Sequence, residues 1–155
     1  MVETAIKGVY ISRLEIHEDN RGWLSEIFRN DELREEIMPA MSYISVTRPG
    51  ITRGPHEHAF QTDLLAFPGI SSFRIILWDN RKDSTTYRKK IELESNDRAP
   101  LCLVIPPGVV HAYTNTGEID GVTVNSPNRL YRGPGKKDAV DEIRYEEHPD
   151  NPFKI

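Results

Sequence analysis

Apolar positions in this chain come in short runs of about four to seven residues, rich in β-branched and aromatic side chains. The runs are Gly8–Leu14, Trp23–Phe28, Met41–Thr47, Asp63–Phe67, Ser72–Leu77, Lys90–Leu93, Leu101–Ile105, His111–Asn115 and Gly121–Val124. Turn formers separate them: Asp19-Asn20-Arg21-Gly22, Arg48-Pro49-Gly50, Pro68-Gly69, Ser95-Asn96-Asp97, Pro106-Pro107-Gly108 and Thr116-Gly117. Many short strands punctuated in this way predict an all-β sandwich or barrel. Asn30–Ile37 is the one segment that predicts a helix, capped by Asn30 or Asp31 and stopped by Pro39.

The rhythm changes after Asn125. Pro127, Gly133, Pro134, Gly135, Pro149 and Pro152 interrupt a charged tail. The expectation is one domain over residues 1–155, with a barrel at about 8–125 and a tail, 126–155, packed on it. A short strand or turn is expected at Glu142–Tyr145, and a freely disordered tail is the alternative. At 155 residues the chain is long enough to bury a core.

Composition narrows the class of function. The net charge of −4 leaves no basic excess to neutralise phosphates, which argues against a nucleic-acid partner. Cys102 is the only cysteine and lies in the apolar run Leu101–Ile105, so it reads as a buried free thiol of a reducing compartment. No apolar run approaches the ~18 residues of a membrane span, and the N-terminus has no basic-then-apolar leader pattern. The expected location is cytoplasmic, with no membrane partner.

Two segments carry the candidate chemistry. The first is Gly50-Ile-Thr-Arg53-Gly-Pro-His56-Glu-His58, continuing to Gln61, Asp63 and Gly69. On a strand His56 and His58 point to one face, although an exposed loop pair fits equally when the segment is taken alone. The second is Pro106-Pro-Gly108-Val-Val-His111-Ala-Tyr113-Thr-Asn115, where a tight turn delivers the chain into a strand carrying a histidine. Together the two segments form the two-motif signature of the cupin superfamily. The resemblance implies an all-β jelly roll (a double-stranded β-helix barrel) with one short helix and an irregular C-terminal tail.

Four further blocks narrow the resemblance. Asp19-Asn-Arg21-Gly22-Trp-Leu-Ser-Glu26-Ile-Phe28 resembles D-x-R-G-x-x-x-E-x-F, and Arg53-Gly54-Pro-His56 resembles R-G-x-H. Asp79-Asn-Arg81-Lys-Asp83-Ser84-Thr-Thr86-Tyr87 resembles D-x-R-x-x-S-x-T-[FY], and Ile105-Pro-Pro-Gly108-Val-Val-His111-Ala-Tyr113 resembles I-P-x-G-x-x-H-G-F. In order and spacing they are similar to the dTDP-4-dehydrorhamnose 3,5-epimerase family, of which this chain resembles a short, divergent member over Gly8 to Asn125.

That resemblance implies an isomerase acting on a nucleotide-activated 4-keto-6-deoxy sugar, with roles for matched positions. His56 would be the general base that removes the proton next to the ketone, a task suited to an imidazole titrating near neutrality. Arg53 would neutralise the diphosphate. Arg21 and Glu26 would contact the nucleotide across the interface of a homodimer. His111, Gln61 and Asn115 would line the substrate pocket.

The family pattern also fails in places. The family's enolate-stabilising lysine aligns with Asp63, and its proton-donating tyrosine aligns, by an ungapped count from His111, with Val124. The aspartate that partners the family's base lies in a segment expected to fall beyond this chain. Asp63 and Tyr113, two residues after His111, are the candidates to take up catalytic roles. No cofactor is expected, but His56, His58 and His111 with a carboxylate also form a donor set for Zn²⁺, Mn²⁺, Fe²⁺ or Ni²⁺. The epimerase resemblance assigns no use to His58. Packing or tail anchoring is the alternative for Tyr113 and Tyr131, and core or interface roles for Trp23 and Trp78. Three readings stay open: a nucleotide-sugar epimerase or isomerase, a binding protein that has lost the chemistry, and a metal-dependent cupin of another reaction type.

Overall fold

The computed structural model describes residues 1–148 and 150–155, so Pro149, read above as a breaker in the tail, lies outside the described residues. Among the described residues thirteen strands are formed: β1 Val2–Glu3, β2 Tyr10–Arg13, β3 His17–Asp19, β4 Gly22–Leu24, β5 Tyr43–Thr47, β6 Thr52–Glu57, β7 Asp63–Phe67, β8 Phe73–Asp79, β9 Lys90–Ser95, β10 Leu101–Ile105, β11 Val109–Asn115, β12 Gly121–Asn125 and β13 Ile143–Arg144. Eleven of them build two facing sheets, the tail strand β13 included, in the orders β1-β2-β10-β7-β12-β5 and β13-β6-β11-β8-β9, while β3 and β4 form a separate hairpin. This is the expected all-β cupin architecture, a jelly roll of two sheets.

Burial comes in three layers. Between the sheets lie Leu65, Phe67, Leu103 and Ile105 from one and Phe73, Ile75, Leu77 and Val109 from the other. The outer side of the six-stranded sheet buries Leu64, Ala66, Cys102 and Val104 under Leu14 and Ile37. The outer side of the five-stranded sheet buries Ile76, Trp78, Val110 and Ala112, with Tyr145 and Phe153 of the tail packed against it. Strands covered on both faces have no polar face to present, which is why Leu101–Ile105 is an unbroken apolar run.

One expected element is corrected. Asn30–Ile37 is not a helix; only Glu35–Ile37 makes a single 3₁₀ turn. Eight residues are too few to recover the cost of helix nucleation, and the segment carries four acids with two apolar positions, Leu33 and Ile37. Those two residues pack instead against the outer side of the six-stranded sheet. Met38, before Pro39, is extended as the proline ring requires.

The Asp79 block is structural. Asp79 is buried at the end of β8 and accepts from Arg81 Nε (2.8 Å) and NH2 (2.8 Å), Ser84 Oγ (2.6 Å) and Thr86 Oγ1 (2.6 Å). Arg81 NH2 also donates to Lys7 O, and Thr86 Oγ1 accepts from Lys7 N, so one carboxylate ties the 80–89 loop to the N-terminus. Burial alone would raise its pKa, but the Arg81, Ser84 and Thr86 donors outweigh burial and hold it well below the ordinary 3.8. Its stabilisation is therefore present above about pH 4 and is lost as pH falls through the depressed value. Asp79→Asn is expected to cost about 3 kcal/mol at pH 7. The gap in Tm from the parent protein, followed by calorimetry, should shrink below about pH 4. A constant gap from pH 7 to 2 would contradict this account.

Candidate active site

The two histidine segments meet on β6 and β11, where His56 lies directly opposite His111 and Arg53 opposite Tyr113. Arg53 and His56 are three positions apart but Tyr113 and His111 only two, so β6 carries a bulge. The extra residue restores phase, and Arg53, His56, His111 and Tyr113 all take the same face of the sheet, toward the barrel interior. Gly54 makes this possible: at φ +81° it sits where a Cβ would come within 2.5 Å of His111 O. His58 lies just beyond the end of β6, at the start of the turn into β7.

The interior cluster is compact. The His56 and His111 rings are 4.2 Å apart between centroids, and one donor atom from each of His56, His58 and His111 lies within 4.8 Å of the others. Asp63, only 1% exposed, opens β7 with its Oδ2 at 3.2 Å from His58 Nε2 and 3.4 Å from His111 Nε2. Its Oδ1 accepts from Gln61 Nε2 (2.8 Å) and Asn125 Nδ2 (2.9 Å). Tyr43, His56, Asp63, His111, Tyr113 and Asn125 wall a cavity of about 30 Å³, room for one water or one ion and too small for a sugar ring. A substrate ring would therefore sit above the cluster, in the mouth.

Burial and neighbouring charge set the protonation states. Burial, aided by the adjacent His111 and His58, holds His56 well below the ordinary histidine value, so it is neutral in the resting site. Burial also disfavours charge on His58, but the Asp63 carboxylate overcomes this and pushes it up to about 9. His111 is lowered by burial. Burial would raise Asp63, yet its hydrogen bond to His58 and the charges around it hold it below the usual carboxylate range. Burial takes Tyr43 up to about 12 despite its bond from Asn125, so its phenol stays protonated.

The tail completes the site. β13 pairs with β6, setting Arg144 opposite His56. Glu142 Oε1 lies 3.8 Å from His56 Nε2, while its Oε2 accepts from Arg144 NH2 at 2.8 Å. The Asp141 carboxylate accepts the backbone N–H groups of Ala59, Phe60 and Gln61 at 2.8, 3.0 and 2.8 Å, and its carbonyl oxygen meets His58 Nδ1. Farther along, Tyr145 donates to the buried Glu57, which also accepts from Asn80, and Phe153 packs its ring on Tyr145 and Trp78. A tail residue outside every motif thus faces the candidate base.

The sequence profile of the dTDP-4-dehydrorhamnose 3,5-epimerase family matches residues 3–133. The chain belongs to this family. It is 35% identical over 113 residues to a spore coat polysaccharide biosynthesis protein of Bacillus subtilis, covering 73% of this chain and 74% of that protein. It is 32% identical over 127 residues to a probable low-salt glycan biosynthesis epimerase of Haloferax volcanii, covering 81% of each. Its fold is similar to the crystal structure of a dTDP sugar isomerase from Desulfovibrio desulfuricans, with a TM-score of 0.83, 22% identity, and coverage of 99% and 94% of the two chains.

Against the pattern of the dTDP-4-dehydrorhamnose 3,5-epimerase family, the structure brings together some expected residues and separates others. His56, His58, His111, Asp63, Gln61 and Tyr113 converge. Arg53 projects at the mouth, donating to Thr47 Oγ1 (2.9 Å) and Val46 O (2.8 Å). Asn115 does not line the pocket. It is fully buried at the far end of β11, where its amide donates to Thr47 O and Ile119 O and accepts from Ser71 and Gly117, so no group remains for a substrate. Arg21 and Glu26 do not reach the histidines of their own chain: Arg21 is 82% exposed on the β3–β4 hairpin, pairing with Asp19, and Glu26 lines a separate groove beside β2. Val124, where the family tyrosine was expected, packs on the outer side of its sheet. The sequence reading missed Tyr43, whose hydroxyl accepts from Asn125 Nδ2 at 2.9 Å on the strand beside β12. It also missed Glu142 as a partner of His56. The short strand or turn expected at Glu142–Tyr145 was the only signal, and it does not say which strand the segment joins.

Proposed function

We propose that the chain epimerises a nucleotide-activated 4-keto-6-deoxy sugar, with His56 as the base and Glu142 as the carboxylate that steadies the imidazolium. The observation that carries this reading is the neutral, 15% exposed His56 side chain at the barrel mouth with Glu142 3.8 Å away. A proton passes from the carbon next to the ketone to His56, and the C–H electron pair becomes the enolate. Reprotonation from the other face inverts the centre. Tyr43 is better placed for that step than Tyr113, because Tyr43 stands half exposed at the mouth while Tyr113 is wedged between Phe67 and Phe73. Nothing in this proton transfer requires an organic cofactor.

A homodimer fits the same reading. Edge strand β5 turns Ile44 (69% exposed) and Val46 outward, and the β3–β4 hairpin offers Trp23 and Leu24. Arg21, exposed on that hairpin beside Asp19, would reach a second copy's mouth, as its expected nucleotide role requires. We place the protein in the cytoplasm; among the described residues no helix is long and apolar enough to cross a membrane.

The test is deuterium exchange at C3–H and C5–H of dTDP-4-keto-6-deoxyglucose in D₂O, followed by NMR on protein whose mass in solution is expected to be twice 17.8 kDa. Exchange and a changed C3 or C5 configuration are expected. Binding without exchange would favour the non-catalytic reading, which the acid at the lysine position supports. Glu142→Gln removes a charge worth several kcal/mol at this distance in a partly buried site, offset in part by its Arg144 pair, so exchange should slow about 10- to 100-fold with the fold unchanged. An unchanged rate would remove Glu142 from the mechanism.

A further inference from the structure

One wall of the cavity below the mouth carries a polar atom whose hydrogen bonding is incomplete. Asn125 ends β12 and is only 5% exposed, on the inward-facing side of that strand with Gly121 and Thr123. Its amide nitrogen donates to the Tyr43 hydroxyl oxygen and to Asp63 Oδ1, each at 2.9 Å. Its Oδ1 is buried and meets no donor among the described residues. Turning the amide over does not help, because Oδ1 would then face the Asp63 carboxylate, which only accepts. Asp63, at the position of the family's lysine, thus fixes which way Asn125 points. A buried acceptor left unpaired destabilises its surroundings, so Asn125 Oδ1 calls for a partner that donates.

The cavity sets the size of that partner. At about 30 Å³ it admits one hydroxyl group or one water. The hydroxyls of Tyr43, Tyr113 and Thr123 in its wall can turn to donate or to accept, so they do not discriminate. Asn125 Oδ1 does: neither a ketone oxygen nor a methyl group has a hydrogen to give it. The two carbons flanking the ketone of a 4-keto-6-deoxy sugar differ in this respect, since C3 carries a hydroxyl and C5 carries the methyl group. His56 walls the same cavity. A ring substituent that enters the cavity therefore brings its own carbon beside the base.

We propose that Asn125 Oδ1 accepts a hydrogen bond from the C3 hydroxyl of the sugar and so presents C3, rather than C5, to His56. The choice of centre rests on the epimerase reading, whereas the contact itself does not. The hydroxyl enters the cavity and the ketone stays above it in the mouth. A sugar without that hydroxyl leaves Asn125 Oδ1 unpaired and is rejected, which makes Asn125 a specificity residue besides a support for Tyr43 and Asp63.

Titration calorimetry on the full-length protein compares dTDP-4-keto-6-deoxyglucose with its 3-deoxy and 2-deoxy counterparts. The parent is expected to bind the 3-deoxy sugar about 10- to 100-fold more weakly than the full sugar, and the 2-deoxy sugar within a few-fold of it. In Asn125→Ala the 3-deoxy gap should shrink to within about threefold, whereas a merely structural role would weaken all three sugars together and leave the gap. In D₂O, C3–H should exchange at least about tenfold faster than C5–H. Equal affinity of the parent for the full and 3-deoxy sugars, as a trapped water satisfying Asn125 in both complexes would give, overturns the proposal. So does a penalty that falls on the 2-deoxy sugar instead, a gap that survives in Asn125→Ala, or C5–H exchange as fast as C3–H. If Asn125→Ala fails to fold by circular dichroism, the parent's own discrimination decides. Discrimination with exchange at neither carbon sinks the epimerase reading and leaves the Asn125 contact standing.

Discussion

Glutamine in place of His56 lowers the rate of deuterium exchange into the keto sugar by about 10²- to 10⁴-fold, the usual worth of a positioned general base. Glutamine keeps the approximate size of the side chain and a polar end, so the ring contact with His111 is lost while the bulge and the pairing of β6 with β11 remain. It has no basic nitrogen at neutral pH and cannot hold the proton that leaves carbon. Because the change acts on the transition state, affinity for the nucleotide sugar should move by no more than a few-fold, with the loss appearing in kcat. Steady-state kinetics with NMR detection would show the split. A variant that exchanges within a factor of a few of the parent would mean that another group takes the proton, and His56 would revert to a pocket residue.

Phe67→Ala should have the largest effect on stability. Phe67 is fully buried between the sheets and stacks edge-on with both Phe73 and Tyr113, at 5.3 Å in each case. Removing the ring costs its transfer energy and leaves a cavity that two sheets held by ladder hydrogen bonds cannot close. The expected loss is about 3–5 kcal/mol. For a chain of this length that corresponds to a fall in Tm of roughly 10 °C. The effect extends to function, since Tyr113 loses one of its two aromatic supports directly beneath the site. Urea unfolding would measure it, and a loss under about 1 kcal/mol would mean that the barrel interior repacks freely.

The strands were legible because their signals are local. Nine apolar runs marked off by turn residues correspond to β2, β4, β5 and β7 to β12, with ends displaced by a few residues. β6 was not marked as a run, since its sequence Thr-Arg-Gly-Pro-His-Glu has almost no apolar content. It is a strand because its neighbours β11 and β13 pair with it, a tertiary cause that propensity does not register. The segment 30–37 failed in the opposite direction: its local helical pattern was overruled by the sheet face that Leu33 and Ile37 cover.

Within the site, the sequence by itself determined which residue types would be present, and the resemblance of its two motifs to the cupin signature implied that His56, His58 and His111 would gather. It also identified Asp63 as the departure from the family's lysine. Only the tertiary structure decided what that departure means. Asp63 is buried, with one oxygen satisfied by Gln61 and Asn125 and the other turned to two histidines, and a sequence cannot announce pairing with partners as distant along the chain as Asn125 and His111. The same holds for Glu142, brought to His56 by two residues of β13 and by the Tyr145 and Phe153 anchors behind them. Strand formation depends on neighbours in sequence and so can be read from it, whereas the meeting of carboxylate and imidazole depends on register, bulge and the path of the tail.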